Sequence, residues 1–439
     1  MLCVEPQIRY TRSGEVSIAY QVVGEGAIDL VYVSDYMSNL VYGWESPHWR
    51  AFYDRLARSF RLILFDKRAT GLSDHGSRYA ALETRMEDLR AVLDAAGATD
   101  VVVLGAHEGC CMAALFAATY PERTRALALF HPDLQGPGTQ GREQQEELRN
   151  TREGWGTREF TDDLLQWGCP TLYRSEEDRL WFANWLRVGA TPAVAYALNR
   201  AFYESDLSDV LSAVRVPTLV LYRSIREDRA VEVAAQIPDA RLMRVSGDDY
   251  FGIFLSLDIV DELEQFVEGE RAPFVPESVL TTVMFTDLVG STELAARLGD
   301  RAWRDLLEQH HGIVRRELAR FRGKERDTAG DGFFATFDGP ARATRAGQAI
   351  VDALAGLALV ARVGIHVGEC EVHESKMSGI AVATGARIAS VAEPGEVLVS
   401  STVKDLVAGS DLRFVDRGDH QLKGIPETWH LFSLAGESS

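Results

Sequence analysis

Two aspartates carry the strongest chemical signal in the sequence. Asp287 ends an alternating apolar stretch, V-L-T-T-V-M-F-T-D-L-V-G-S-T (279–292), which predicts a strand that turns through Gly290 into a helix. Asp331 lies in A-G-D-G-F-F-A-T-F (329–337), where the glycines favour a tight turn between two short apolar strands. Such a pair suits a hard divalent ion, because Mg²⁺ or Mn²⁺ takes a few carboxylates and completes its shell with phosphate oxygens. We therefore predict a metal site here, although either aspartate alone would be read as a solvated turn residue.

These aspartates fall in the second of two predicted domains. The chain has 439 residues, which suits two domains better than one. Residues 269–278 read G-E-R-A-P-F-V-P-E-S, and two prolines with charged neighbours are typical of a short, semi-stiff linker. We therefore expect one domain over residues 1–268 and another over residues 279–439.

Composition argues against several classes of partner. The formal net charge of −19 disfavours nucleic acid or an anionic membrane, so an anionic nucleotide would need metal ions and arginines nearby. No apolar run approaches the roughly 18 residues of a membrane span, and the start, M-L-C-V-E-P-Q, lacks the pattern of a secretion signal. The five cysteines are odd in number and scattered, which is typical of a reducing compartment. We expect a cytoplasmic protein without a membrane span.

Five ordered motifs of the second domain resemble the class III nucleotidyl cyclases. They are F-T-D-L-V-G-S-T, G-D-G, R-V-G-I-H-V-G, a helix ending in A-R, and L-K-G, and they cover roughly residues 279–434. The resemblance implies a ferredoxin-like α+β fold and conversion of ATP to 3′,5′-cyclic AMP and pyrophosphate. It also implies a head-to-tail homodimer through this domain, in which each chain holds only half of each site.

The same resemblance assigns two divalent metal ions, Mg²⁺ or Mn²⁺, to Asp287, Leu288 and Asp331. One ion would activate the ribose 3′-hydroxyl and the other would bind the triphosphate, an arrangement that stabilises both the attacking and the leaving oxygens. Arg362 falls where the family binds the terminal phosphates, and Arg387 where an arginine steadies charge on the α-phosphate. Lys423 falls near a phosphate-contacting lysine of the family.

Three positions depart from the family pattern. Asp327 stands where the family reads adenine with a lysine, Lys376 where it has the companion aspartate, and Ala383 where an asparagine orients the ribose. The swapped pair could satisfy guanine, or the two side chains could pair with each other and leave the base unread. We expect ATP as substrate with a loose base preference, GTP being the alternative. The missing asparagine predicts a rate lower by a factor of about 10² to 10³.

The first domain alternates strand-like and helix-like segments, the pattern of a mostly parallel sheet covered by helices. Residues of about 136–212 interrupt this rhythm with polar, mostly helical sequence, which predicts an inserted lid. The predicted strands are Val16–Val22, Ile28–Val33, Arg61–Asp66, Val101–Leu104, Ala126–Phe130, Thr218–Tyr222 and Ala240–Val245, and the predicted helices include Trp49–Ser59, Leu82–Ala96 and Cys110–Ala118.

Residues 8–267 resemble the α/β-hydrolase family. The likeness rests on L-F-D-K-R-A-T-G-L-S-D (64–74) and on the strand, elbow and helix around residues 101–120. The elbow of that family, G-x-S-x-G, presents a nucleophilic serine on a strained turn. Here it reads G-A-H-E-G, with His107 in place of the serine.

The other triad positions follow in chain order. Asp228 is the predicted acid, and Tyr250 stands where the histidine is expected. Acyl transfer of the serine type needs a hydroxyl nucleophile and an imidazole base, so two of the three roles are vacant. We predict an α/β-hydrolase domain without hydrolase activity, which binds a small apolar or acyl ligand and tunes the second domain.

Two alternative functions remain open at this point. The first is an esterase that uses an unconventional nucleophile at the elbow. The second is a nucleotide-binding pseudo-cyclase, in which the departures at Asp327, Lys376 and Ala383 have abolished turnover.

Overall fold

The computed structural model of the chain describes residues 6–75, 81–132, 141–204, 206–269, 278–373, 376–425 and 428–435. These residues belong to two units, residues 1–275 and residues 276–439. Most of the predicted linker at 269–278 lies outside the described residues.

The first unit is built on an eight-stranded sheet with the strand order β1-β2-β4-β3-β5-β6-β7-β8. Strands β1, β2 and β4 pair antiparallel, and β4, β3, β5, β6, β7 and β8 form a parallel sheet. Parallel strands are covered on both faces and therefore read as continuous apolar runs, as V-V-V-L-G-A in β5 does. The elements are β1 (Arg9–Ser13), β2 (Val16–Val23), β3 (Ile28–Val33), α1 (Pro47–Ser59), β4 (Phe60–Phe65), α2 (Leu82–Ala96), β5 (Val101–Ala106), α3 (Gly109–Thr119), β6 (Thr124–Phe130), α4 (Arg142–Gly154), α5 (Arg158–Gly168), α6 (Pro170–Tyr173), α7 (Glu176–Gly189), α8 (Pro192–Glu204), α9 (Ser208–Ser212), β7 (Thr218–Tyr222), α10 (Glu227–Gln236), β8 (Arg241–Arg244) and α11 (Asp258–Gly269).

A helical insert separates β6 from β7. It consists of α4 to α9, which confirms the helical character predicted for residues of about 136–212. Local caps set its helix starts: the side chain of Thr157 accepts a hydrogen bond from the Phe160 amide, and that of Ser175 accepts one from the Asp178 amide. Aromatic side chains of the insert, among them Trp155 and Trp185, pack against the core of the sheet.

The second unit is built on a second eight-stranded sheet. Its elements are β9 (Ser278–Leu288), α12 (Ser291–Leu298), α13 (Asp300–Arg320), β10 (Lys324–Ala329), β11 (Gly332–Phe337), α14 (Pro340–Ala355), β12 (Ala361–His373), β13 (Lys376–Ser378), α15 (Ile380–Val391), β14 (Val397–Ser400), α16 (Ser401–Leu406), β15 (Phe414–Gln421) and β16 (Thr428–Leu434). The path runs β10-β11-β9-β12-β14-β16-β15, with β13 paired to β12. The first four strands and their helices give the antiparallel β-α-β-β-α-β arrangement of a ferredoxin-like fold, which confirms the predicted α+β class.

Strand β12 places α14 and α15 on opposite faces of this sheet. Successive residues of a strand point to opposite faces. A Cβ atom added to Gly347 of α14 would meet Val363 and Ile365, whereas one added to Gly364 would lie 2.1 Å from the Ala389 amide of α15. Gly364, the glycine of R-V-G-I-H, therefore lets α15 approach the strand closely. Its neighbours Val363 and Ile365 pack against α14 on the other face.

Helix α13 has 21 residues and buries His310, Val314 and Leu318, one turn apart, while half of its other positions are charged. Among the described residues, no helix combines the length and the apolar character needed to cross a membrane.

Candidate functional site

A cavity of about 270 Å³ opens on the α15 face of the second unit. Phe285, Asp287 and Arg362 line it from the sheet, and Asp327 joins them from β10. Helix α15 closes the cavity through three residues, Ala386, Ala389 and Ser390. The sheet therefore brings a predicted metal ligand, a predicted phosphate ligand and a predicted base-reading residue to one place.

An ion pair joins Asp287 to Arg362. The two residues face each other in the β9–β12 register, so their side chains share the α15 face. The Arg362 guanidinium donates to Oδ2 of Asp287 from Nη2 at 2.6 Å and from Nε at 3.1 Å, and Nη1 donates to the Ser390 carbonyl at 3.3 Å. Both side chains are about one third exposed, at 32% and 39%. The guanidinium therefore occupies the position on the Asp287 carboxylate that a metal cation would take.

The second predicted metal ligand, Asp331, lies beside the end of β9. Its Oδ2 accepts a hydrogen bond from the Leu288 amide at 3.2 Å, which brings it next to the residue that follows Asp287. The turn before it needs the left-handed conformation of Gly330, whose φ is +63°. The His311 ring lies with Nε2 2.9 Å from the Gly330 carbonyl oxygen and supports that turn. The Leu288 side chain has no ligand atom, so only its backbone carbonyl could bind an ion.

A row of side chains leads from Asp327 toward the ion pair. Asp327 faces Phe334 across the β10–β11 pair, and Phe334 faces Phe285 across the β11–β9 pair. The two phenylalanine rings stack with centroids 4.6 Å apart. Asp327 is exposed, and its Oδ1 accepts a hydrogen bond from the Thr328 amide at 2.9 Å. This row offers a flat aromatic surface that ends in a carboxylate.

Three further predicted residues lie away from this cavity lining. Arg387 is exposed on α15, and Ala383 is exposed one turn earlier on the same helix. Lys423 is exposed in the turn after β15. Lys376 begins β13 opposite His373, and its side chain lies outside the described part of the chain, as does the predicted pairing with Asp327.

The donor set of this site fits a hard divalent ion. Asp287 pairs with Arg362, while Asp327 lines the same cavity and Asp331 lies beside the end of β9. The site therefore has more carboxylates than guanidinium groups, and the excess negative charge suits a dication. Across the described ranges, no group of three or more His, Cys, Asp or Glu side chains is arranged to hold a metal ion unaided. An ion at Asp287 and Asp331 would therefore complete its shell with backbone carbonyl, water or phosphate oxygens.

The first unit has a larger cavity of about 920 Å³, between the carboxyl ends of its strands and the helical insert. His107 lies on its wall, on a turn that keeps the strained geometry of a nucleophile elbow, with a φ of +49°. The glycines of G-A-H-E-G allow close contacts there: a Cβ on Gly109 would meet the Val33 carbonyl oxygen at 2.3 Å. The elbow is thus preserved although its serine is absent.

The His107 ring lies in an aromatic environment. Its centroid is 4.8 Å from that of Tyr250, 5.8 Å from His131 and 5.6 Å from Phe251. Burial, together with His131 and Arg223, holds the pKa of His107 well below its usual value. Both of its ring nitrogens are buried and have no hydrogen-bond partner among the described residues. The imidazole is therefore neutral and presents one unmet donor and one unmet acceptor.

The predicted triad positions come together only in part. His107 and Tyr250 are in contact, as the hydrolase resemblance requires. Asp228, the predicted acid, is exposed in the first turn of α10, whereas His107 and Tyr250 are buried.

Asp35 is a functional residue that the sequence reasoning missed. Its carboxylate accepts a hydrogen bond from the Glu108 amide, with the oxygen 3.3 Å from the nitrogen. The Glu108 amide follows the elbow residue and is one of the two donors that form an oxyanion hole in this fold. A carboxylate of the chain itself therefore fills that hole. The available signal was the acid in V-S-D-Y, directly after a predicted strand.

Buried charged side chains hold Glu108, the elbow residue after His107, in a hydrogen-bonded network. Lys67 donates to Glu108 Oε2 at 2.7 Å, and Arg85 donates to the other oxygen of the same carboxylate. Burial acts to raise the pKa of Glu108, but Arg85 and Lys67 outweigh it and lower that pKa to about 2. Lys67 also donates to the Asp35 backbone carbonyl at 2.8 Å, which links the loop after β3 to the same network.

Comparisons with known proteins match the two units to two families. Residues 276–436 match the model of the adenylate and guanylate cyclase catalytic domain, and residues 40–231 match the α/β-hydrolase-fold model. The putative adenylate cyclase 3 of Rhizobium meliloti is 29% identical over 170 residues, which cover 35% of this chain and 28% of that protein. The chain therefore spans little more than a quarter of that relative's length.

The first unit has relatives that it covers almost completely. The putative carbamate hydrolase RutD of Azorhizobium caulinodans is 25% identical over 275 residues, 58% of this chain and 96% of that protein. The solved structure of a bromoperoxidase from Bacillus anthracis superposes with a TM-score of 0.52 at 16% identity, over 60% of this chain and 100% of that one. The structural likeness shows the fold alone.

Proposed function

We propose that the C-terminal unit is a metal-dependent nucleotidyl cyclase, which converts ATP to 3′,5′-cyclic AMP and pyrophosphate. This unit matches the adenylate and guanylate cyclase catalytic family, and the N-terminal unit has the α/β-hydrolase fold. The observation that carries this proposal is the cavity in which Asp287, Arg362 and Asp327 meet, with Asp331 hydrogen-bonded to the residue after Asp287. Acids for metal ions and a guanidinium for phosphate are the groups that this reaction needs.

In the proposed reaction the ribose 3′-hydroxyl loses its proton to solvent and its oxygen attacks the α-phosphorus. The bond from that phosphorus to the bridging oxygen breaks, and pyrophosphate leaves with the bonding electron pair. Asp287 and Asp331 would hold two divalent ions, Mg²⁺ or Mn²⁺, which supply charge stabilisation to the attacking and leaving oxygens. Arg362 would leave Asp287 and bind the β- and γ-phosphates, because a planar guanidinium suits two phosphate oxygens at once.

The active form in this proposal is a homodimer of the C-terminal unit. Arg387, proposed to contact the α-phosphate, is exposed and lies outside the cavity lining of its own chain, so a second chain would supply it. Apolar side chains near the site suit such an interface. Val289 and Val360 lie next to the Asp287–Arg362 pair and are 38% and 46% exposed, and Ile380 of α15 is 62% exposed.

ATP is the proposed substrate, with GTP as the alternative. The stacked rings of Phe285 and Phe334 offer apolar surface beside Asp327. An aspartate accepts hydrogen bonds, so it matches the exocyclic amine of adenine and equally the N1 and N2 donors of guanine. Discrimination between the two bases would therefore be weak.

The N-terminal unit is proposed to bind a ligand and to regulate the cyclase without hydrolysing anything. Three features support the lack of hydrolysis: His107 replaces the nucleophile, Tyr250 replaces the base, and Asp35 fills the oxyanion hole. A carboxylate in that hole would repel the developing oxyanion of an ester. The cavity of about 920 Å³ nevertheless has the size of a small-molecule site.

The test is cyclic nucleotide production by the purified full chain with ATP or GTP and Mn²⁺ or Mg²⁺. Asp287→Ala should abolish product, whereas Asp352→Ala, which removes an exposed aspartate of α14, should not. Binding of ATP with no product from either nucleotide would overturn the proposal and identify a pseudo-cyclase. Ester hydrolysis that survives Asp287→Ala and disappears in His107→Ala would identify an esterase instead.

A further inference from the structure

We infer that the cavity of the N-terminal unit is a binding site for a hydrophobic primary amine in its ammonium form, whose head lies among Ser34, Asp35 and His107 and whose body lies along the tryptophans. This inference adds a ligand class to the ligand-binding role proposed above. Only the effect of the ligand on the cyclase depends on the proposed function. The inference depends on three observations: unmet acceptors, an aromatic wall and the sign of the charge.

Three hydrogen-bond acceptors converge at one end of the cavity. Ser34 and Asp35 follow β3, and His107 follows β5, its parallel neighbour, so all three lie at the carboxyl edge where ligands bind in such sheets. The Ser34 oxygen is buried and has no partner among the described residues, and neither ring nitrogen of His107 has one. A serine oxygen, an imidazole nitrogen and a carboxylate oxygen match the three N–H donors of a primary ammonium group.

Asp35 is half-buried, so a cation beside its carboxylate would be only partly screened by water. Burial raises the pKa of Asp35 to about 7, although Lys67 acts in the opposite direction. The carboxylate is therefore poorly stabilised by the protein groups around it. An ammonium group beside it would supply the charge-assisted hydrogen bonds that water cannot supply.

The walls of the cavity suit an apolar body that ends in a cation. Four tryptophans, Trp49, Trp155, Trp167 and Trp185, contribute to the lining together with tyrosines and phenylalanines. Aromatic faces attract cations as well as apolar groups, and more strongly where water is excluded.

The charge around the cavity disfavours an anion. Four exposed acids, Glu147, Glu153, Glu159 and Asp163, contribute to the lining beside Asp35, and Arg226 is the one basic side chain of that lining within the described residues. Among the ion pairs of the described residues, none involves these four acids. Together they attract cations toward the cavity and repel carboxylates and phosphates. The inference therefore keeps the apolar ligand expected from the sequence but excludes a free fatty acid.

The experiment compares four probes with the same ten-carbon chain: decylammonium, decyltrimethylammonium, decanol and decanoate. Each is titrated into the full chain below its micelle concentration, and binding is followed by calorimetry and tryptophan fluorescence. Decylammonium should bind tightest, and decyltrimethylammonium, which has no N–H donor, should bind about 10-fold or more weakly. Decanoate binding as tight as decylammonium, or no decylammonium binding up to roughly 1 mM, would overturn the inference.

Variants then test the contacts. Ser34→Ala should weaken decylammonium several-fold and leave decyltrimethylammonium unchanged, and Asp35→Asn should weaken both ammonium probes about 10-fold. Glu153→Gln should lower the affinity modestly and reduce its salt dependence, whereas Glu146→Gln, on the same helix but outside the lining, should change nothing. Unchanged affinity in both Ser34→Ala and Asp35→Asn would refute the placement of the head. Decylammonium binding with no effect on cyclic nucleotide production would refute the regulatory role alone.

Discussion

Replacing Arg362 by alanine should strengthen the binding of divalent metal ions to the nucleotide-free chain. The Arg362 guanidinium holds Oδ2 of Asp287 with two of its nitrogens, so an ion must compete with it for that carboxylate. The variant removes the competitor and leaves the carboxylate in place. If Arg362 bound only the phosphates and did not compete for Asp287, its removal would leave the metal affinity of the nucleotide-free chain unchanged.

The size of the effect follows from the exposure of the pair. The side chains are 32% and 39% exposed, so solvent screens their attraction, and such pairs contribute about 0.5–1 kcal/mol. Removing the pair should therefore raise the affinity for Mn²⁺ about 2- to 5-fold. Cyclic nucleotide production should fall in the same variant by a factor of about 10² to 10³, because the phosphates lose a positioned donor.

The assay is Mn²⁺ titration of the full chain, followed by electron paramagnetic resonance of the free ion. Arg345→Ala is the matched control, since Arg345 pairs with Asp411 at 2.6 Å on an exposed surface and its loss removes the same charge. Metal affinity that is unchanged or lower in Arg362→Ala, or equally raised in Arg345→Ala, would refute the competition. The double variant Asp287→Ala/Arg362→Ala should not show the gain in Mn²⁺ affinity that Arg362→Ala shows alone.

Three other predictions follow from the same geometry. Inactive Asp287→Ala and Arg387→Ala chains should regain up to about one quarter of wild-type cyclase activity when mixed, because a mixed dimer holds one intact site; no recovery would contradict the shared-site dimer. His107→Ser should not hydrolyse p-nitrophenyl butyrate, since Tyr250 and Asp35 still block the chemistry, and turnover by this single variant would contradict that account. Burial lowers the pKa of His366 to about 4, below the 6.5 of an unfolded histidine. The neutral ring of His366 should therefore contribute to stability above pH 6.5, and this contribution should be lost as the pH falls toward 4. Ring signals of His366 in NMR that titrate near pH 6.5 would refute this, and His366→Gln should flatten the acid limb of the stability profile.

Local patterns predicted the parallel strands well and the edge of the sheet poorly. Strands β3 and β7 and helix α2 have the predicted bounds, because buried strands read as apolar runs and α2 ends at Gly97, whose φ is +71°. Strand β1, R-Y-T-R-S, was not predicted, since it pairs with β2 alone and is largely exposed. No apolar period marks such a strand.

The site was predictable in its residue types but not in its contacts. Motif spacing identified Asp287 and Arg362, yet their ion pair depends on the register between β9 and β12, which are separated by five other elements in the chain. Asp35 was missed for a related reason. Its role comes from an amide two strands away in sequence, that of Glu108, and nothing in V-S-D-Y alone indicates that contact.

The two cavities share a feature with opposite consequences. In each, a side chain of the protein stands where a ligand atom of the same charge would lie: Arg362 in place of a metal cation on Asp287, and Asp35 in place of an oxyanion on the Glu108 amide. Arg362 is long, about one third exposed and able to turn toward phosphate, so its pair with Asp287 can exchange as substrate and metal arrive. Asp35 has a short side chain held by the Glu108 amide, so it competes with an oxyanion at that amide. Under the proposed function, the first arrangement is a reversible competitor for a metal ion, and the second disfavours hydrolysis at the elbow.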